Sequence, residues 1–220
     1  MLDKSIPYKN IVMRLPAEKL ASLQEPILPD GYAFRLYQPG DALHWARIET
    51  SVLEFPNEKE AVAYFEKTFL PYEEELKRRC VFVTNLQGLP VATTTAWFTP
   101  AQASGPDGAP LPGPPVDRAT LHWVSVCPEN QGLGLGKAVV QKALSIFLQL
   151  HPGEDILLHT QTWSHVAVHL YHKLGFIMAK RLQFAASDGT LTPNDYEEAI
   201  SVLKKVEEPA FIQKLVDTAM

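Results

Sequence analysis

Cysteine is scarce: Cys80 and Cys127 are the only two in 220 residues, and they stand far apart in no metal-ligand spacing. That pattern excludes a disulfide-stapled scaffold and a thiolate metal cluster, and it predicts reduced thiols. Long apolar runs are missing as well. No segment approaches the ~20 residues that cross a bilayer, and the opening MLDKSIPYKNIVMRLP carries no continuous apolar stretch, so a cytoplasmic protein with no membrane partner is expected. Nor is there an excess of positive charge. Twenty Lys and Arg against 25 Asp and Glu leave a net charge of −5, which argues against a nucleic-acid partner bound by phosphate neutralisation. No internal repeat is present. What remains is an ordinary globular composition, 46% hydrophobic and 20% charged, sufficient for one substantial core.

Hydrophobic periodicity gives the order of elements. KNIVMR reads as a short strand, and Tyr32 to Tyr37 as another, ended by Pro39-Gly40. Asp41 is placed to cap a helix carrying Leu43, Trp45, Ile48 and Val52. Asn57 and Glu60 have capping-box spacing for a second helix, which Pro71 breaks before the charged EEELKRR segment. Residues 80–84 and 91–98 form an antiparallel hairpin pattern. The stretch 99–119 is so dense in Pro and Gly that it reads as a long loop. Residues 120–126, a glycine turn, a helix and residues 156–162 make a strand–helix–strand unit, which implies parallel strands. A helix from Ser164 closes at Gly175, a strand is expected over 176–184, and a helical tail broken at Pro209 follows. The fold class is therefore α/β, a mixed sheet that is antiparallel early and parallel late, flanked by helices. Residues 1–30 read as an N-terminal extension packed on the domain, 31–184 as the domain and 185–220 as the tail.

The turn PENQGLGLGKA joins a strand to a helix N-terminus, where unpaired N–H groups and the helix dipole favour phosphate. Three alternating glycines followed by Lys137 exceed what a plain turn requires. A Walker A loop is excluded because Gln131 occupies its first glycine position and Ala138 its Ser/Thr position. The dinucleotide fingerprint fails too, since its last glycine falls on Lys137 or Val139.

The segment LHWVSVCPENQGLGLGKA resembles the acetyl-CoA motif of the Gcn5-related N-acetyltransferases (GNAT), and AVHLYHKLGF, residues 167–176, resembles a second signature of that family. The resemblance covers about residues 30–184. It implies a GNAT-like sheet whose parallel pair splays to receive coenzyme A. The cofactor pyrophosphate would lie on the amides of Gly132, Leu133, Gly134, Leu135, Gly136 and Lys137, with Gln131 opening the cofactor-binding motif, and the pantetheine arm on the edge of Val124, Ser125 and Val126. It makes Tyr171 the general acid for the leaving thiolate. Ser164 would cap its helix and touch pantetheine.

A protonated acceptor amine needs a base, and His122 on the strand before the glycine turn has the suitable ordinary pKa. A β-bulge in that strand would turn it away. His159 and Glu54 are understudies. The implied activity is transfer of acetyl from acetyl-CoA to a small-molecule or peptide amine, by direct attack in a ternary complex, with no metal. Cys127 keeps a covalent acyl-enzyme route open; a coenzyme A sensor without turnover and a transferase using another acyl donor are the rivals. Trp45, Glu54 and Phe55 are candidates for the acceptor wall, although core packing accounts for the aromatics equally well. His165, His169 and His172 fall opposite Tyr171 and read as a solvated helix face rather than a metal site. The apolar residues Ile200, Leu203, Phe211 and Ile212 of the tail must cover the sheet or a partner chain, which leaves a homodimer open.

Overall fold

The computed structural model describes residues 2–20, 22–101, 116–185 and 191–220. In chain order it contains β1 (Asn10–Leu15), α1 (Ala17–Leu20), β2 (Ala33–Leu36), α2 (Ala42–Ser51), α3 (Glu58–Thr68), α4 (Glu73–Arg79), β3 (Cys80–Thr84), β4 (Pro90–Ala101) and β5 (Val116–Val126). There follow α5 (Leu135–Leu150), β6 (Ile156–Gln161), α6 (His165–Lys173), β7 (Ile177–Met178), the short pair β8 (Phe184–Ala185) and β9 (Leu191–Thr192), then α7 (Tyr196–Leu203) and α8 (Pro209–Thr218). Seven strands hydrogen-bond in the order β2-β3-β4-β5-β6-β1-β7, a mixed α/β sheet with flanking helices. The chain divides into two compact units, and β4 and β5 run through both.

The first unit comprises residues 23–97 and 121–152, together with the first two residues. Its antiparallel ladder pairs β2 with β3 and β3 with β4, as the hairpin pattern predicts. Trp45, Phe65, Phe69, Leu76 and Phe82 are fully buried in its core. Asn57 accepts the Glu60 N–H at 3.0 Å and so caps α3, a bond worth about 1 kcal/mol. A 3₁₀ turn over Leu70–Tyr72 holds the Pro71 break before α4. Asp41 behaves otherwise than expected. It makes no capping bond to α2; its carboxylate takes both Arg35 guanidinium nitrogens, at 2.6 and 2.8 Å, and the Gln38 N–H at 2.7 Å. A bidentate charged pair outcompetes a single neutral cap. Leu43, expected in the buried stripe, is 64% exposed, and Glu49 lies buried in its stead.

The second unit comprises residues 3–22, 98–120 and 153–220. Its parallel pairing registers Thr120 of β5 on Leu157 of β6. The N-terminal segment is more than an extension: β1 lies between β6 and β7, antiparallel to both, with Asn10 opposite Gln161 and Met13 opposite Met178. Ile11, Val12 and Met13 are fully buried as a consequence. Two further expectations change here. Within the proposed loop 99–119, strand continues to Ala101 and resumes at Val116, so both ends are strand rather than loop; residues 102–115 lie outside the described residues. The strand expected over 176–184 is only the two residues of β7, with β8 starting at Phe184. The tail is helical and broken at Pro209 as expected. It packs α7 beside β1 and α8 beside β7, so Ile200, Leu203 and Ile212 are buried by the unit itself.

Candidate active site

Strand β5 meets α5 in the first unit through the turn 127–134. The amides of Leu135, Gly136 and Lys137 precede the first bond of α5, donated by Ala138 to the Gly134 carbonyl at 3.1 Å. Gly132 and Gly134 both take left-handed backbone, φ 78° and 82°. A Cβ at either position would meet nothing within 4 Å, so the glycines serve backbone conformation rather than clearance from neighbouring atoms. Gln131 bends its side chain back, and its Nε2 donates to the Val126 carbonyl at 2.9 Å. That bond fixes the turn to the end of β5. Leu133 and Lys137 are exposed, whereas Leu135 is buried and anchors the helix. The arrangement is a helix N-terminus open to an anion, on a rigid strand end.

In β5 the alternation of sides is broken at Trp123, whose φ of 54° is rare for a bulky residue. The break does not turn His122 away from α3. Its ring stands edge-on to Phe69, centroids 6.4 Å apart, while the neighbouring Trp123 ring packs on Trp45, Phe55 and Tyr64 at 5.3–5.4 Å. Thus His122 and Trp123 share one side, facing α2 and α3. Trp45 is fully buried, which gives it core packing as well as a place in this wall; Phe55 is half-buried, and Glu54 is exposed beyond the end of α2. Val124 and Val126 are half-buried. Ser125 is buried, and its Oγ donates to Glu49 Oε2 at 2.7 Å.

Glu49 was missed by the sequence reading. It falls on the same helical stripe as Trp45, Ile48 and Val52, and a carboxylate at such a position is the one signal that pointed to it. Burial, opposed in part by the Ser125 bond, pushes its carboxyl up to about 8. Both thiols are free and buried; burial raises Cys80 to about 12, and Cys127 Sγ lies 3.6 Å from Arg47 Nη1.

The second unit holds the other candidates. Tyr171 is buried on α6, edge-on to Phe176 at 5.9 Å. Ser164 precedes α6 but makes no side-chain cap; a 3₁₀ turn over Thr162–Ser164 leads directly into the helix instead. His159 is bonded through Nε2 to Asn10 Oδ1 at 2.8 Å, and burial lowers its pKa to about 4, so it is neutral and structurally engaged. The three helix histidines are not a solvated face. His165 and His169 bond Glu207 at 2.6 and 2.5 Å, and His169 stacks on Phe211 with centroids 3.5 Å apart. The carboxylate comes from the α7–α8 connection, too distant in sequence for helix spacing to reveal. Among the described residues, no group of three His, Cys, Asp or Glu could hold a metal ion, and no helix is long and apolar enough to cross a membrane.

Comparison with known proteins fits this geometry. Residues 42–176 match the model of the acetyltransferase (GNAT) family. Mycothiol acetyltransferase of Cellulomonas flavigena is 28% identical over 152 residues, 69% of this chain and 42% of that protein. A GCN5-related N-acetyltransferase structure from Sphaerobacter thermophilus superposes with a TM-score of 0.56 at 17% identity, covering 79% of this chain and 49% of that one. A tandem GNAT protein from the clavulanic acid biosynthesis pathway gives 0.52 at 17% identity, covering 80% and 51%. The chain thus spans about half the length, or less, of these relatives. With the family model covering the strand, the glycine turn and the Tyr171 helix together, the chain belongs to the GNAT acetyltransferase family.

Proposed function

We propose that this chain transfers an acetyl group from acetyl-CoA to a primary amine of a small molecule or peptide, by direct attack within a ternary complex. The observation that carries this reading is the N-terminus of α5, where left-handed Gly132 and Gly134 lead from the end of β5 and the amides of Leu135, Gly136 and Lys137 precede the first bond of the helix. Such a terminus suits the pyrophosphate of coenzyme A. The backbone of Val124–Val126 would receive the pantetheine arm, and an amide there would hold the oxyanion of the tetrahedral intermediate. Tyr171 supplies the proton to the departing thiolate, with Ser164 beside the arm. The acceptor nitrogen gives its proton to a base on the β5 wall, where His122 is the candidate the sequence offers, and Trp45, Glu54 and Phe55 belong to the acceptor side. A cytoplasmic location goes with this reading.

The direct route is favoured over an acyl-enzyme because Cys127 is fully buried, with the Arg47 guanidinium 3.6 Å from its sulfur. The test is release of coenzyme A from acetyl-CoA in the presence of phenethylamine, spermidine and glucosamine, with Tyr171→Phe beside the parent protein. Loss of about 100-fold or more in kcat for Tyr171→Phe, with acetyl-CoA affinity retained, is expected. Binding of acetyl-CoA without turnover on any amine would favour a sensor, and better competition by longer acyl-CoA chains would favour another donor.

A further inference from the structure

Among the described residues, Glu49 is the one carboxylate with no solvent exposure. Its Oε2 accepts the Ser125 hydroxyl, but Oε1 is buried with no hydrogen-bond partner. An unmatched buried carboxyl oxygen costs stability that an apolar residue would not. A second observation falls on the same place. The two non-glycine residues with left-handed backbone among the described residues are Leu53, φ 71°, just past the helix that carries Glu49, and Trp123, φ 54°, two residues before Ser125. Backbone strain therefore flanks both ends of one hydrogen bond, the pattern of a site where stability is given up for chemistry. Trp45 lies one helical turn before Glu49, and the rings of Phe55, Tyr64 and Trp123 pack on it with centroids 5.6, 6.1 and 5.3 Å away, an apolar cluster of low dielectric.

We propose that Glu49, acting through Ser125, is the final acceptor of the proton lost by the attacking amine. This rests on the transferase reading and assigns the base that reading requires. As the nitrogen–carbon bond forms to the acyl carbon, the amine N–H bond breaks and its proton passes to Ser125 Oγ. The Ser125 hydroxyl proton passes at the same time to Glu49 Oε2, which turns from carboxylate to carboxylic acid. The carbon–sulfur bond then breaks, and the thiolate takes a proton from Tyr171. Glu49 returns its proton to solvent by the reverse path, and Tyr171 regains one.

Only the carboxylate form of Glu49 works, so the rate rises with pH through the region near 8 and levels above it. The groups that face this wall are His122 from β5, Tyr64 from α3 and Glu54 from the α2–α3 connection, whose negative charge raises Glu49 further; Arg47 of α2 is engaged with the Pro90 carbonyl and Cys127.

The experiment measures kcat/KM against pH for acetyl-CoA with phenethylamine, spermidine and glucosamine, in the parent protein and in Glu49→Gln, Ser125→Ala, Ser125→Thr and His122→Gln. Glutamine copies the shape of the neutral acid, so Glu49→Gln is expected to fold, with a melting temperature at neutral pH no lower than that of the parent protein. Its activity should fall about 100-fold and lose the rise near pH 8. Ser125→Ala should show the same loss, Ser125→Thr should restore much of it, and the double variant Glu49→Gln/Ser125→Ala should be no worse than either single one. His122→Gln should retain the rise. A Glu49→Gln protein that keeps both rate and pH dependence overturns this assignment alone, as does a rise that disappears with His122→Gln. A parent protein that acetylates none of the amines overturns the transferase reading and this inference together.

Discussion

Asn10 and Asp195 are joined three times: the backbone N–H and the side-chain amide of Asn10 both donate to Asp195 Oδ2, at 2.9 and 3.2 Å, and the Asp195 N–H donates to the Asn10 carbonyl at 3.3 Å. One residue opens β1, and the other precedes α7. The pair connects the first strand of the chain to its C-terminal helices, and Asn10 Oδ1 also receives Tyr8 and His159. Asp195→Ala leaves a mostly buried amide pair unmatched. It is expected to destabilise the protein by about 1–3 kcal/mol, read as a lowered denaturant midpoint with an unchanged slope.

His159 titrates near 6.5 when unfolded and near 4 when folded, because burial opposes its charge. The unfolded chain therefore binds the proton first, and stability falls as pH drops from about 6.5 to about 4. His159→Gln, which keeps a donor toward Asn10, should flatten that part of the curve of melting temperature against pH.

Glu49 gives the opposite sign. The folded chain holds its proton up to about 8, whereas the unfolded chain releases it near the ordinary carboxyl value of 4.5, so stability is lost as pH rises across that window. Glu49→Gln should match the parent protein in melting temperature at about pH 4 and exceed it by several degrees at about pH 9. A variant more stable than the parent at alkaline pH yet far less active would separate folding from chemistry at this residue.

Glu207 bridges His165 and His169. Burial tends to raise its pKa, but the hydrogen bonds of His169 and His165 outweigh it and hold the carboxyl below its usual range. Glu207→Ala should loosen α7 and α8 from α6. Hydrogen exchange of the α8 amides should speed up at least tenfold, with those of α5 unaffected.

Gly134→Ala places a side chain at φ 82° with space around it, so backbone strain alone is added, about 1–2 kcal/mol. Calorimetric titration with coenzyme A should show a loss of affinity of about tenfold, since in the proposed reading the backbone itself holds the anion.

The strand–turn–helix from β5 to α5 was legible because its physics is local. Glycines at Gly132 and Gly134 precede the regular stripe of Val140, Ala143, Leu144 and Phe147, and the structure buries all four. The hairpin and the α3 cap were legible for the same reason. What the sequence hid depends on distant partners. Asp41 was read as a cap because Arg35 was not counted as a competitor, and the helix histidines were read as solvated because Glu207 lies 38 residues beyond His169. The strand N-terminal to Pro16 was recognised, but its place between β6 and β7 has no local signature. Glu49 needed a different question: which charged residue falls on an apolar stripe.

The insertion of β1 between β6 and β7 bears on how the protein is made. The segment Asn10–Leu15 is synthesised well before both strands that flank it, which lie beyond residue 155. Until they emerge, its buried face of Ile11, Val12 and Met13 has no sheet to join, and an unpaired apolar strand is a site for pairing with other nascent chains. The second unit then closes around the first of its strands only once β6 and β7 have been made. A helper that shields residues 10–15 until that point would therefore raise the yield of folded protein more than one acting on the completed chain.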